Sequence, residues 1–103
     1  MSTMLHLVNK SPFDRNALAS CLRLAKAGSS VLLLEDGVYA AMDNTAHTPA
    51  VVERMADLAF YVLGPDVSAR GLDDKPLIDG INVVDYGGFV DLVVEHEVAQ
   101  SWL

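Results

Sequence analysis

Short, continuous apolar runs alternate along this chain with stretches in which apolar residues recur every three or four positions, and no linker or low-complexity tract interrupts them. Met4-Leu5-His6-Leu7-Val8 opens the series as a strand. Ser11 then offers an N-cap hydroxyl, Pro12 takes a first helical position where a missing N–H costs nothing, and Asp14 stands three residues after the cap. A helix is expected over residues 11–27, with Lys26 near its negative end and Gly28 closing it in the left-handed conformation. Val31-Leu32-Leu33-Leu34 has no polar alternation, the mark of a strand covered on both faces as in a parallel sheet. Glu35-Asp36-Gly37 ends it, residues 38–42 read as a short helix, 43–49 as a polar loop and 50–58 as a helix. Ala59-Phe60-Tyr61-Val62-Leu63 is aromatic and β-branched, and Gly64-Pro65 closes this third strand. One or two helical turns over 65–70 stop at Gly71, and 72–80 reads as loop. Residues 81–84 form a fourth strand, 86–95 a helix apolar at Phe89, Val90, Val93 and Val94, and the tail Ala99-Gln100-Ser101-Trp102-Leu103 a short last strand.

Strand and helix in regular succession imply right-handed crossovers. The expected architecture is α/β: one domain over residues 1–103, a mostly parallel sheet with helices on both faces, and loops gathered where the strands end. At 103 residues there is room for one core. Hydrophobic residues make up 51% and charged ones 20%, with a mean hydropathy of +0.29. So apolar a composition leaves few polar residues to cover the surface, which points to an interface. The formal net charge of -7 disfavours direct contact with nucleic acid or anionic lipid, while leaving a basic protein partner open. One cysteine excludes an internal disulfide, and neither a secretion signal nor an apolar run of the roughly 18 to 20 residues of a membrane span is visible. The expected location is the cytoplasm.

Cys21 is the first candidate for chemistry, since a thiolate is the strongest nucleophile available here. At about 100° per residue it falls near the middle of the apolar arc Ala17, Leu18, Cys21, Leu22, Leu24 and Ala25, with Arg15, Ala19, Arg23 and Lys26 opposite. It also lies too far from the helix start for the dipole to lower its pKa. Periodicity therefore favours packing over reactivity. Glu35 and Asp36 suit acid/base work by position, but the simpler reading has Asp36 capping the next helix and Gly37 supplying an unusual backbone angle. No phosphate-binding glycine motif is present. His6, His47 and His96 are too scattered for metal-ligand spacing, so no metal is expected. Asp66 and Arg70 can pair at four-residue spacing, and Trp102 and Leu103 are interface candidates, being large apolar groups at a terminus.

Several runs together resemble the DsrH/TusB family of sulfur-relay proteins. They are Leu5-His6 with Asn9-Lys10-Ser11-Pro12, Leu32-Leu33-Leu34-Glu35-Asp36-Gly37-Val38 with Ala40-Ala41, Tyr61-Val62-Leu63, Asp66 with Ala69-Arg70-Gly71, Val84-Asp85-Tyr86, Phe89-Val90-Asp91-Leu92 and Trp102. The resemblance spans the chain and implies a five-stranded, Rossmann-like domain of the DsrEFH type. It also implies a cytoplasmic heterohexamer with sister DsrE/TusD-like and DsrF/TusC-like subunits, passing persulfide sulfur to a DsrC/TusE-like acceptor without cofactor or metal. A homodimer of the isolated chain is a further expectation. The principal sulfur-carrying cysteine of such complexes belongs to a sister subunit, at the place taken here by Leu63-Gly64. Ser20-Cys21-Leu22, Tyr39 and Gly64-Pro65-Asp66 are closest to the DsrH branch, which serves sulfur oxidation through the reverse dissimilatory sulfite-reductase pathway. That likeness implies Cys21 as a persulfide carrier. The alternatives are a TusB-type subunit for 2-thiolation of the tRNA wobble uridine, and a purely structural subunit with Cys21 buried.

Overall fold

A computed structural model describes residues 4–14, 16–96 and 98–102. Five parallel strands form one sheet in the order β4-β3-β2-β1-β5: β1 Met4–Val8, β2 Ser30–Leu33, β3 Ala59–Leu63, β4 Asn82–Val84 and β5 Val98–Trp102. The helices between them are α1 Ala17–Leu24, a 3₁₀ helix Glu35–Ala41, α2 Thr48–Arg54, α3 Gly64–Ala69 and α4 Tyr86–Glu95. The expected α/β sheet with helices is present, and all five expected strands form.

The two faces of the sheet are covered unequally. Val8, Val31, Leu33, Phe60 and Val62 point to one side, where Leu18, Cys21 and Leu22 of α1, Val38 and Ala41 of the 3₁₀ helix, Val51 of α2 and Val67 of α3 pack onto them. The other side holds a much smaller cluster, Leu5 and Leu32 under Leu92 of α4, with Leu7, Tyr61, Val84 and Phe89 around it. Central strand β2 is buried at all four residues, as its unbroken apolar run requires. Among the described residues, nothing covers the α4 side chains that face away from this cluster.

Helix α1 is shorter than the expected 11–27. Ser11 spends its hydroxyl on the Phe13 N–H (3.2 Å) within a turn, and Asn16 holds the N-cap position. At the other end the chain turns extended at Ala25, and the Arg54 guanidinium donates to the carbonyls of Leu22 and Ala25, the latter at 2.8 Å. A side chain from α2 thus caps α1 three residues before Gly28. Gly28 does adopt a positive φ of 93°, but in the loop into β2, where its N–H reaches the Asp57 carbonyl at 2.8 Å. Arg15, assigned to the polar side of this helix, lies outside the described residues.

The turn after β2 also departs from expectation. Asp36 makes no cap, and the positive φ belongs to Glu35 (50°). Gly37 is needed for room instead: a Cβ there would stand 1.9 Å from the Val8 carbonyl oxygen. At the start of α4, by contrast, Asp85 is a working N-cap, accepting from the Gly88 N–H at 2.8 Å.

Candidate functional site

Cys21 sits in the third α1 position facing the sheet, with 0% of its surface exposed, among Val8, Leu18, Leu22 and Val31. Burial pushes its thiol up from 9.0 to about 12, and the nearby Arg54 guanidinium offsets only part of that rise. In the isolated chain the thiol therefore stays protonated and out of reach, the opposite of a reactive cysteine's surroundings. Iodoacetamide should modify Cys21 slowly in the native chain and rapidly in denaturant; rapid native labelling would show that α1 lifts away from the sheet. The same burial carries a pH signature. The folded value exceeds the unfolded one, so the contribution to stability is complete below about pH 9 and is lost as pH rises towards 12. Denaturant titrations across that window should show a steeper fall for the wild-type chain than for Cys21→Ala.

Where the strands end, the loops are tied by an acidic network. Arg70 Nε donates to Asp36 Oδ1 at 2.9 Å, and its Nη1 to the Asp66 backbone carbonyl at 3.3 Å. Asp66 Oδ2 accepts the Glu35 N–H at 2.6 Å. The carboxylate paired with Arg70 is thus that of Asp36, while Asp66 holds the strained Glu35 backbone. These bonds fasten α3 to the 3₁₀ helix, and no nucleophile stands among them. Leu63 and Gly64, at the place the resemblance gives to a sister subunit's cysteine, close β3 and open α3.

The three histidines have separate tasks. His6 is 3% exposed and accepts the Trp102 indole N–H on Nδ1 at 2.9 Å, and its Nε2 has no hydrogen-bond partner among the described residues. Burial lowers its pKa, so it stays neutral with its proton on Nε2. His47 meets Phe13 edge-on, ring centroids 4.8 Å apart. His96 ends α4, with Nδ1 2.6 Å from the Leu92 carbonyl and Nε2 3.1 Å from Ser30 Oγ. Among the described residues no group of three or more His, Cys, Asp or Glu is placed to hold a metal ion, and no helix is long and apolar enough to cross a membrane. Trp102 docks on the body through His6, while Leu103 lies outside the described residues.

A surface that the apolar pattern had hidden is the outer side of α4. Val90, Val93 and Val94 share the helical spacing of core residues, yet Val90 is 59% and Val94 79% exposed, and Tyr86 and Val93 are exposed beside them. Leu92 alone on this helix is buried. At about 100° per residue the four exposed apolar side chains span one continuous arc, with Asp91 beside one margin. An exposed apolar stripe with a charged margin is the composition of a protein–protein interface.

Comparison with known proteins gives a consistent answer. Residues 10–99 match the family model described as DsrH like protein. The chain is 36% identical over 101 residues to Protein TusB of Photorhabdus laumondii subsp. laumondii and 41% identical over 99 residues to Protein TusB of Erwinia tasmaniensis; both matches cover 96% of this chain and 100% of the relative. Among solved structures, the ychN protein from E. coli superposes with a TM-score of 0.87 at 17% identity, covering 98% of this chain and 99% of that one.

Proposed function

The chain belongs to the DsrH family, and on that premise we propose that it is a TusB-type subunit of a cytoplasmic sulfur relay serving 2-thiolation of the tRNA wobble uridine. The observation that carries this reading is the end-to-end match with proteins named TusB. It favours the tRNA branch over the sulfur-oxidation branch to which Ser20-Cys21-Leu22 and Tyr39 pointed. The uncovered stripe on α4 supports a working unit larger than one chain, and sister DsrE/TusD-like and DsrF/TusC-like subunits are the proposed partners, with a DsrC/TusE-like acceptor downstream. In such a relay an acceptor thiolate attacks the outer sulfur of a persulfide, the S–S bond breaks, and the donor leaves as thiolate.

Cys21 is suited to that step only in an assembly that moves α1 off the sheet, and its burial supports the packing role. Deleting the gene in its host is the test. Loss of 2-thiouridine from tRNA, restored equally by the wild-type chain and by Cys21→Ser, is expected. Intact 2-thiouridine with failed sulfur oxidation would transfer the chain to the other branch; neither effect would sink the relay reading.

A further inference from the structure

We infer that the cleft between the end of α1 and the strand pair β1 and β5 is a binding site for a small organic anion, a carboxylate carried on a flat apolar body. The cleft holds about 540 Å³, within the range of small-molecule sites. His6 of β1 and Gln100 of β5 stand in register on its sheet side, with Trp102 next to them. Leu24, Lys26 and Ser29 line it from the end of α1 and the loop into β2.

The charge in this lining is the reverse of the chain's. Acidic residues outnumber basic ones fourteen to seven, yet among the described residues no carboxylate lines the cleft, and Lys26 is its one charged side chain. Lys26 has no ion-pair partner among the described residues: the two pairs found there are Arg54 with Asp57 and Arg70 with Asp36. The negative end of α1 would oppose an anion here, but Arg54 already occupies the carbonyls of Leu22 and Ala25.

Two buried polar side chains of the same lining lack partners. Ser29, 6% exposed, donates its N–H to the Lys26 carbonyl at 3.1 Å and accepts the Ala59 N–H on its carbonyl at 3.2 Å, while nothing among the described residues bonds its hydroxyl. His6 gives Nδ1 to the Trp102 indole, and its Nε2–H, closed off from solvent, has no acceptor among the described residues. Buried donors without acceptors are rare, and a carboxylate, with about four lone-pair sites on two oxygens, is the group that answers several at once. The exposed Gln100 amide adds a further donor. Leu24 and Trp102 supply the apolar wall. The 2.9 Å bond to His6 holds the indole in place, so a planar ligand stacks on a face that needs no ordering. This site is built from one chain alone, so it stands or falls apart from the relay reading.

Titration of the full chain with 2-naphthoate tests the inference, with naphthalene-2-carboxamide as the uncharged counterpart. The chain has one tryptophan, so one indole N–H resonance reports on the wall of the cleft. 2-Naphthoate should shift it with a dissociation constant of about 1 mM or below, and the amide should bind more weakly. Lys26→Gln should weaken the acid about fivefold and leave the amide unchanged; Ser29→Ala should weaken both. Lys26 is exposed, so its variant should keep the wild-type circular dichroism. An indole resonance unmoved at about 10 mM 2-naphthoate, an amide that binds as tightly as the acid, or an acid indifferent to either substitution would each overturn the inference.

Discussion

Replacing Gly37 with alanine is expected to cost about 3 kcal/mol or more, at the upper end of what overpacking does. The added Cβ would lie 1.9 Å from the Val8 carbonyl oxygen and 2.8 Å from its carbon. Both are backbone atoms, so no rotamer change can relieve the clash. That carbonyl also accepts the Leu34 N–H at 3.1 Å, a bond that ties the end of β2 to the end of β1. Either this bond is given up or the 3₁₀ helix moves away, and the helix contributes Val38, Ala40 and Ala41 to the main core. Against a total stability of about 5–15 kcal/mol this is a large fraction. The melting temperature should fall on the order of 15 °C, with much of the chain unfolded at modest denaturant. Gly87→Ala is the control. Its Cβ meets nothing closer than Asp85 Oδ1 at 3.4 Å, and alanine is the better helix former, so stability should hold or rise slightly. A Gly37→Ala chain as stable as wild type would show that the turn has slack the geometry denies.

Gly37 also marks what the sequence could and could not reveal. Its presence after an apolar strand was visible, but the reason assigned to it, an unusual backbone angle, belongs to Glu35. Local pattern identifies turn residues; close approach between segments distant in the chain leaves no local trace. The same limit governs α1. Ser11, Pro12 and Gly28 were a plausible start and stop, but the actual stop is made by Arg54, a residue thirty positions away in sequence terms and on another helix. Strands β2 and β3 fared better because their apolar runs are continuous and bounded by Gly, Pro or acidic residues. Their order did not follow from that pattern, since pairing β5 with β1 is a decision made across the whole chain.

For the candidate site the balance is different. Burial of Cys21 was legible from its place on the apolar arc, and the structure supplies the missing element, a guanidinium near the thiol that fails to offset its desolvation. The α4 stripe was not legible. Apolar residues at helical spacing normally mean core, and only the assembled sheet shows that this face needs just Leu92, with Phe89 beside it, leaving Val90, Val93 and Val94 outside. The high apolar share of the composition hinted at an uncovered surface without saying where it lay.

Substituting lysine for both Val90 and Val94 should abolish assembly with the proposed sister subunits while leaving the isolated chain folded. Both side chains are mostly exposed, so their loss removes little from the fold, and surface changes of this kind usually stay within about 0.5 kcal/mol. A lysine at position 94 would stand three residues after Asp91, an attraction that offsets the repulsion between the two new ammonium groups four residues apart. In a complex the balance reverses. Burying each valine is worth about 1.5–3 kcal/mol, and each lysine would have to be desolvated in its place. Asp91 beside the stripe and the net charge of -7 call for a partner rimmed with Lys or Arg, which would repel the new cations. Loss of the two valines alone corresponds to at least a hundredfold weaker association. Co-purification with the proposed partner subunits, with circular dichroism on the isolated variant, gives the reading. Val52→Lys, an exposed valine on α2 across the sheet, serves as the comparison. A complex that survives the α4 pair but falls apart with Val52→Lys would place the docking surface on the α1 and α2 side, where Cys21 lies beneath the helices, and would reopen its role as a carrier.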